Sequence, residues 1–160
     1  EEPQVCLLCV GGGPQLGELR RLADELGLRR QALFTGERPW AEMPDYYRIA
    51  DVLVGNSSTE TQGLTFIEAL ASGLPIVVRY NDCFDGIIED GVAGSLFRDE
   101  SGFLPAVRAA LTPEGMAGSV RAERRAGGLA VAAGMSKETF TQKIETVYSA
   151  ARDDRGKSLT

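Results

Sequence analysis

DVLVGNSSTETQGLTFIEALASGLPIVVR, residues 51–79, decides how the rest of the chain is read. Asp51 to Gly55 is a short apolar run of strand character, and the polar residues Asn56 to Gly63 form a loop. A helix follows from Leu64 to about Ser72, ended by Gly73, and Leu74 to Arg79 predicts the next strand. Strand, helix and strand with short connections imply a parallel unit. On a helical wheel Phe66, Ile67, Leu70 and Ala71 make the core face, while Glu68 falls away from it beside Thr65 and Ser72.

The same alternation extends towards the N-terminus. Val5 to Val10 is a continuous apolar run, the pattern of a strand buried on both faces. Gly11-Gly12-Gly13-Pro14 breaks it as a tight turn, and Leu16, Leu19, Leu22, Ala23 and Leu26 then recur at helical spacing up to Gly27. Ala32 to Thr35 predicts another strand, and Met43 to Ala50 a short helix that Trp40, Tyr46 and Tyr47 pack onto the sheet. Ser95 to Phe97 predicts a last short strand, and from about Ser101 the chain reads as helices. Ala126 to Gly134 interrupts them as a loop or weak helix, and the terminal helix gathers Phe140, Ile144, Val147, Tyr148 and Ala151 on a core-facing side. The expected class is α/β, a Rossmann-like parallel sheet with helices on both faces and a helical C-terminal tail, in one domain spanning residues 1–160.

Composition narrows the function. The 160 residues are 43% hydrophobic and 25% charged, ordinary for a globular domain, and carry a formal charge of −6 that argues against nucleic acid as a partner. The basic clusters Arg20-Arg21, Arg29-Arg30 and Arg121 to Arg125 read as solvated helix faces. With no histidine, the chain holds no Ser-His-Asp or Cys-His nucleophile and no histidine-containing zinc site. Cys6 and Cys9 have CxxC spacing, but in a strand they point to opposite faces, so buried, reduced thiols are expected. No apolar run approaches membrane-spanning length and no signal-peptide pattern opens the sequence, which begins in EEPQ like a piece of a longer chain.

The loop after Gly55 lies where open parallel sheets bind ligands, beyond the carboxyl end of a strand. Its order is Glu60, Gly63, a helix N-terminus, then Glu68. N–H groups around Gly63, Leu64 and Thr65 would carry the positive end of the helix dipole, a natural phosphate site, and glycine would let a ligand approach the backbone. The glutamates do not share a helix face, so a tight catalytic dyad is not expected. A separation on the order of 10 Å would fit a nucleotide sugar with a carboxylate near each end. Carboxylates suit vicinal hydroxyls because they accept two hydrogen bonds. Spacing alone favours solvated glutamates. Asp82, Asp85 and Asp90 read as solvated turn residues.

TETQGLTFIEALASGLPIVV resembles the E-x7-E region of family 4 glycosyltransferases, retaining enzymes of the GT-B fold. GGGPQLGELRRLADELGL, LFTG with Tyr46-Tyr47 and Ala50-Asp51-Val52, and EDGVAGSLF (Glu89 to Phe97) are similar to that family's other segments, in the same order. The form TETQGLT is particularly similar to bacterial enzymes that glucosylate diacylglycerol-type lipids. The resemblance implies the C-terminal, donor-binding half of such an enzyme, which would transfer a hexose from a nucleotide donor, UDP-hexose favoured, with retention of configuration. Glu60 would be the catalytic carboxylate at the reacting end of the sugar. Gln62, Gly63, Leu64 and Thr65 would hold sugar and diphosphate, Glu68 the ribose, and Arg38 would line the base.

The donor is a substrate, so no cofactor is implied; nor is a metal, since no DxD-type cluster is present. The acceptor would be a lipid or glycan, and the protein cytoplasmic, with peripheral attachment to the inner face of the cell membrane as an option carried by an absent N-terminal domain. The basic pair with which relatives clamp the diphosphate would lie upstream of Glu1. Gly12 replaces the usual acidic or polar residue of its loop, which puts contacts from that loop in doubt. The fragment alone is therefore expected to be inactive. A GT-B nucleotide-sugar epimerase and a non-catalytic nucleotide-binding module are the alternatives.

Overall fold

A computed structural model of the chain describes residues 5–157, with side chains described as far as Arg152. It divides into two compact units, Glu1–Ala50 and Asp51–Thr160, and strand pairing stays inside each. The first contains β1 (Leu7–Val10), α1 (Leu16–Glu25), β2 (Ala32–Gly36), a 3-10 turn over Trp40–Glu42 and α2 (Met43–Ile49). β1 and β2 run parallel, with Leu7 opposite Ala32 and Cys9 opposite Phe34.

Several expectations for this unit are corrected. β1 is not buried on both faces: Leu7 is exposed and Leu8 to Val10 are half-buried. A two-stranded sheet offers each strand one neighbour, so an apolar run is necessary but not sufficient for full burial. Cys6 is exposed ahead of the strand rather than buried, and Cys9 is half-buried; both thiols are free. On α1 only Ala23 is buried, while Leu19, Leu22 and Leu26 are exposed. Of the three aromatics, Tyr47 is buried and Tyr46 half-buried, but Trp40 is 76% exposed because it lies on the 3-10 turn ahead of α2.

The second unit is built on β3 (Leu53–Gly55), β4 (Ile76–Arg79) and β5 (Gly94–Phe97), all parallel in the order β3-β4-β5. α3 (Leu64–Ala71) connects β3 to β4; α4 (Glu100–Leu111), α5 (Gly118–Gly134) and α6 (Lys137–Lys157) follow β5. β4 is the central strand, and Ile76, Val77 and Val78 are essentially inaccessible to solvent. Val77 faces α4, clustering with Phe97 and Ala110, and Phe103 meets Phe97 edge-to-face at 5.3 Å between centroids. Val78 turns to the other face, where Phe66 of α3 lies over Gly55. Alternate burial on both faces is why β4 reads as an unbroken apolar run. Asp99 caps α4, its Oδ1 accepting from the Gly102 N–H at 3.1 Å; its carboxyl is held below the usual range first by the Ser101 hydroxyl and then by that N–H.

Two details differ from the sequence reading here, and one open alternative is decided. The buried face of α3 is Phe66, Ala69 and Leu70 with Ile67 half-buried, and Ala71, not Ala69, is the exposed alanine. Residues 126–134, read as a loop or a weak helix, are helix: they form the second half of α5, where Gly128 is buried and a Cβ on it would come within 2.8 Å of Leu70. The glycines that weaken the helix signal are what let α5 lie close against α3. Phe140 and Tyr148 of α6 are not core residues: they are 64% and 74% exposed.

Candidate functional site

The three strands of the second unit are parallel, so the loops leaving their carboxyl ends share one edge of the sheet. β3 delivers residues 56–63, β4 delivers Tyr80 to Asp85, and β5 delivers Arg98 and Asp99. The decisive local geometry is at the first residue of the β3–α3 junction to take a helical partner. Gly63 is the N-cap of α3 with φ 61° and ψ 37°, a left-handed conformation open to glycine, and its carbonyl accepts from Phe66 and Ile67 N–H at 2.9 and 3.2 Å. No side chain caps the helix. The N–H groups of Leu64 and Thr65 therefore precede the helical ladder, at the positive end of the dipole.

Gly63 is also buried, and a Cβ there would stand 3.0 Å from the Phe84 ring and 3.1 Å from Phe66. Phe84 meets Phe66 edge-to-face at 5.5 Å, so both rings are already placed. Gly63→Ala should combine left-handed strain of roughly 1–2 kcal/mol with displacement of Phe84. Its expected signature is a thermal midpoint lower by on the order of 5 °C in a calorimetric melt. An unchanged midpoint would show that the ring moves freely.

Glu60, Gln62, Gly63, Leu64, Thr65 and Glu68 all fall on this one loop–helix junction. Gln62, Leu64 and Thr65 are exposed, and Glu60 and Glu68 are half-buried, Glu60 ahead of the helix and Glu68 on its second turn. Arg38 is exposed on the loop after β2 and belongs to the first unit. The Cys83 thiol is pushed up chiefly by burial and then by the Glu60 carboxylate, which places that charge beside the β4 loop.

That loop carries residues the sequence reading passed over. Asn81 accepts the Cys83 N–H at 3.1 Å and donates through Nδ2 to the Ser58 carbonyl at 3.1 Å. Tyr80 donates its hydroxyl to Asp85 Oδ1 at 2.7 Å, and the Arg98 guanidinium lies 4.0 Å over the Tyr80 ring. The phenol is pushed above its ordinary value first by the Asp85 hydrogen bond. Asp85 and Asp90 are thus exposed turn residues with definite partners, Asp90 accepting from the Leu96 N–H at 2.8 Å. The signal in the sequence was an Asn two residues after a buried strand, a residue type that starts Asx turns. Among the described residues no group of three His, Cys, Asp or Glu side chains could hold a metal, and no helix is long and apolar enough to cross a membrane.

A model of the family "Glycosyl transferases group 1" matches residues 1–117. The chain belongs to this family. It is 44% identical over 95 residues to alpha-monoglucosyldiacylglycerol synthase of Acholeplasma laidlawii, covering 59% of this chain and 24% of that protein. It is 37% identical over 116 residues to the synthase of the same name from Streptococcus pneumoniae, covering 71% of this chain and 26% of that protein. The chain thus spans about a quarter of the length of these relatives. Among solved structures, Anabaena HepE in complex with UDP and glucose superposes with a TM-score of 0.76 at 25% identity, over 92% of this chain and 41% of that one. The group 1 glycosyltransferase chain accordingly has the α/β fold of GT-B enzymes, parallel strands flanked by helices with a helical C-terminal region.

Proposed function

We propose that this chain is the donor-binding domain of a retaining hexosyltransferase that uses a UDP-hexose, UDP-glucose foremost, and that the intact enzyme glucosylates a diacylglycerol-type lipid. The observation that carries the reading is the uncapped N-terminus of α3, turned by Gly63 and flanked by Glu60 and Glu68. In this reading the Leu64 and Thr65 N–H groups receive the diphosphate, and Gln62 adds a side-chain amide. Glu68 accepts from the ribose hydroxyls and Glu60 orients the sugar at its reacting carbon. The UDP and glucose in the HepE complex support the donor class, and the names of the two synthases support the lipid acceptor and, with it, work at a membrane face. Transfer is then mainly positioning plus stabilisation of charge on the departing diphosphate, and the donor is the small molecule the site needs.

The test is calorimetric titration of the intact enzyme with UDP, GDP, UDP-glucose and GDP-mannose. The uridine ligands should bind and the guanosine ligands should bind at least tenfold more weakly. Absence of binding by all four would end the donor-site reading, and preference for GDP-mannose would replace the donor. Turnover by residues 1–160 alone would refute the expectation that the fragment is inactive.

A further inference from the structure

The loop that holds Glu60 has little internal structure: the Thr59 N–H reaches Ser57 Oγ at 3.5 Å, the outer limit of a hydrogen bond. It is the β4 loop that touches it. Asn81 donates to the Ser58 carbonyl two residues before Glu60, the Cys83 thiol lies close enough to feel the Glu60 carboxylate, and Phe84 presses on Gly63 three residues after it. The contacts therefore bracket Glu60 on both sides.

Asn81 is chemically suited to the join. Its Oδ1 accepts the Cys83 N–H, which starts the 3-10 turn Asp82–Phe84, and this leaves Nδ2 as the donor to the Ser58 carbonyl. A carboxamide supplies an acceptor and a donor on one rigid plane; a carboxylate supplies acceptors only. Aspartate at 81 would keep the turn and set an oxygen against the Ser58 carbonyl.

We propose that Asn81 is a positioning residue: by tying the Ser58 carbonyl to the turn that carries Phe84, it fixes the loop so that the Glu60 carboxylate meets the donor sugar in one geometry. This rests on the glycosyltransferase reading above, and it assigns Asn81 a role exerted through the loop that holds Glu60. A loop freed at Ser58 still offers the α3 N–H groups and Glu68 to the nucleotide. Donor affinity should then survive while turnover falls.

The experiment uses the intact enzyme with Asn81→Asp and Asn81→Ala, assayed for transfer from UDP-glucose, with hydrogen exchange followed across residues 57–62. Asn81→Asp should keep the thermal midpoint within about 2 °C, lower kcat on the order of tenfold, leave the donor KM within about twofold, and raise exchange in 57–62. Asn81→Ala should lose at least as much kcat. An Asn81→Asp enzyme with wild-type kcat, or one whose kcat and donor affinity fall together, overturns the proposal. A wild-type enzyme inactive with every donor sinks the glycosyltransferase reading instead. In that case unchanged exchange at 57–62 in Asn81→Asp would still overturn the Asn81–Ser58 tie, and raised exchange would uphold it.

Discussion

Gly94→Ala is expected to leave the second unit unable to hold its sheet. Gly94 opens β5 opposite Ile76, with φ 156°, and is buried. A Cβ there would lie 1.8 Å from the Ile76 carbonyl oxygen and 2.7 Å from Ile76 C and N. These are backbone atoms of the central strand, and Ile76 to Val78 are essentially solvent-free on both faces, so β4 has nowhere to retreat. Relief requires β5 to swing off β4, which draws Phe97 out of its cluster with Val77 and Ala110. Adding the positive φ, of roughly 1–3 kcal/mol, to the lost pairing places the change near 4 kcal/mol, in the rare tail of single substitutions. A typical domain has on the order of 5–15 kcal/mol to lose. For a chain of this size that is a fall of about 10 °C in thermal midpoint, or failure to accumulate as folded protein. A shift below about 3 °C would show that the strands separate at little cost.

What the sequence disclosed, and what it hid, follows from the range of each interaction. β4 and α3 are legible because their signals are local: an unbroken apolar run, and Phe66 and Leu70 at helical spacing ahead of Gly73. The junction that holds Glu60, Gly63 and Glu68 is legible for the same reason, since one contiguous segment builds it. α5 is legible only as a choice between loop and weak helix, because Gly127 and Gly128 each cost a helix about 1 kcal/mol relative to alanine. Their compensation is contact with Leu70 and Val92, residues far away in sequence. Periodicity on α6 reports an amphipathic helix correctly, but periodicity cannot say what covers the apolar side. The exposed Phe140 and Tyr148 mark that gap between pattern and burial.

Asn81 shows the same limit at the site itself. Its bond to Ser58 spans 23 residues, and no local pattern announces which carbonyl a loop amide will find. The sequence could place Glu60 on the loop between β3 and α3, yet not the second loop that touches this one through Asn81 and Ser58. Sites on parallel sheets share this property, because adjacent strand ends bring together segments separated by a whole helix.

Glu60→Gln should cost the intact enzyme on the order of a hundredfold in kcat, the scale seen when one preorganised polar group is lost from a reacting centre. Glutamine keeps the size of the side chain while removing the charge and replacing one acceptor oxygen by an amide donor, so folding should be preserved. Glu68→Ala serves as the contrast. If that carboxylate holds ribose hydroxyls, its loss removes charge-assisted hydrogen bonds of roughly 1.5–3 kcal/mol and raises donor KM by about tenfold or more, with kcat little altered. A swapped pattern, with Glu60→Gln acting on KM and Glu68→Ala on kcat, would reverse the two roles. One readout is independent of activity. The Glu60 carboxylate is, after burial, the next cause holding the Cys83 thiol up, so neutralising it should bring the thiol pKa down towards its ordinary value. With Cys6 and Cys9 changed to serine, alkylation of Cys83 at fixed pH should then be faster in Glu60→Gln than in its parent, because the thiolate is the reacting form. Equal alkylation rates would mean that the Glu60 charge does not reach the Cys83 thiol.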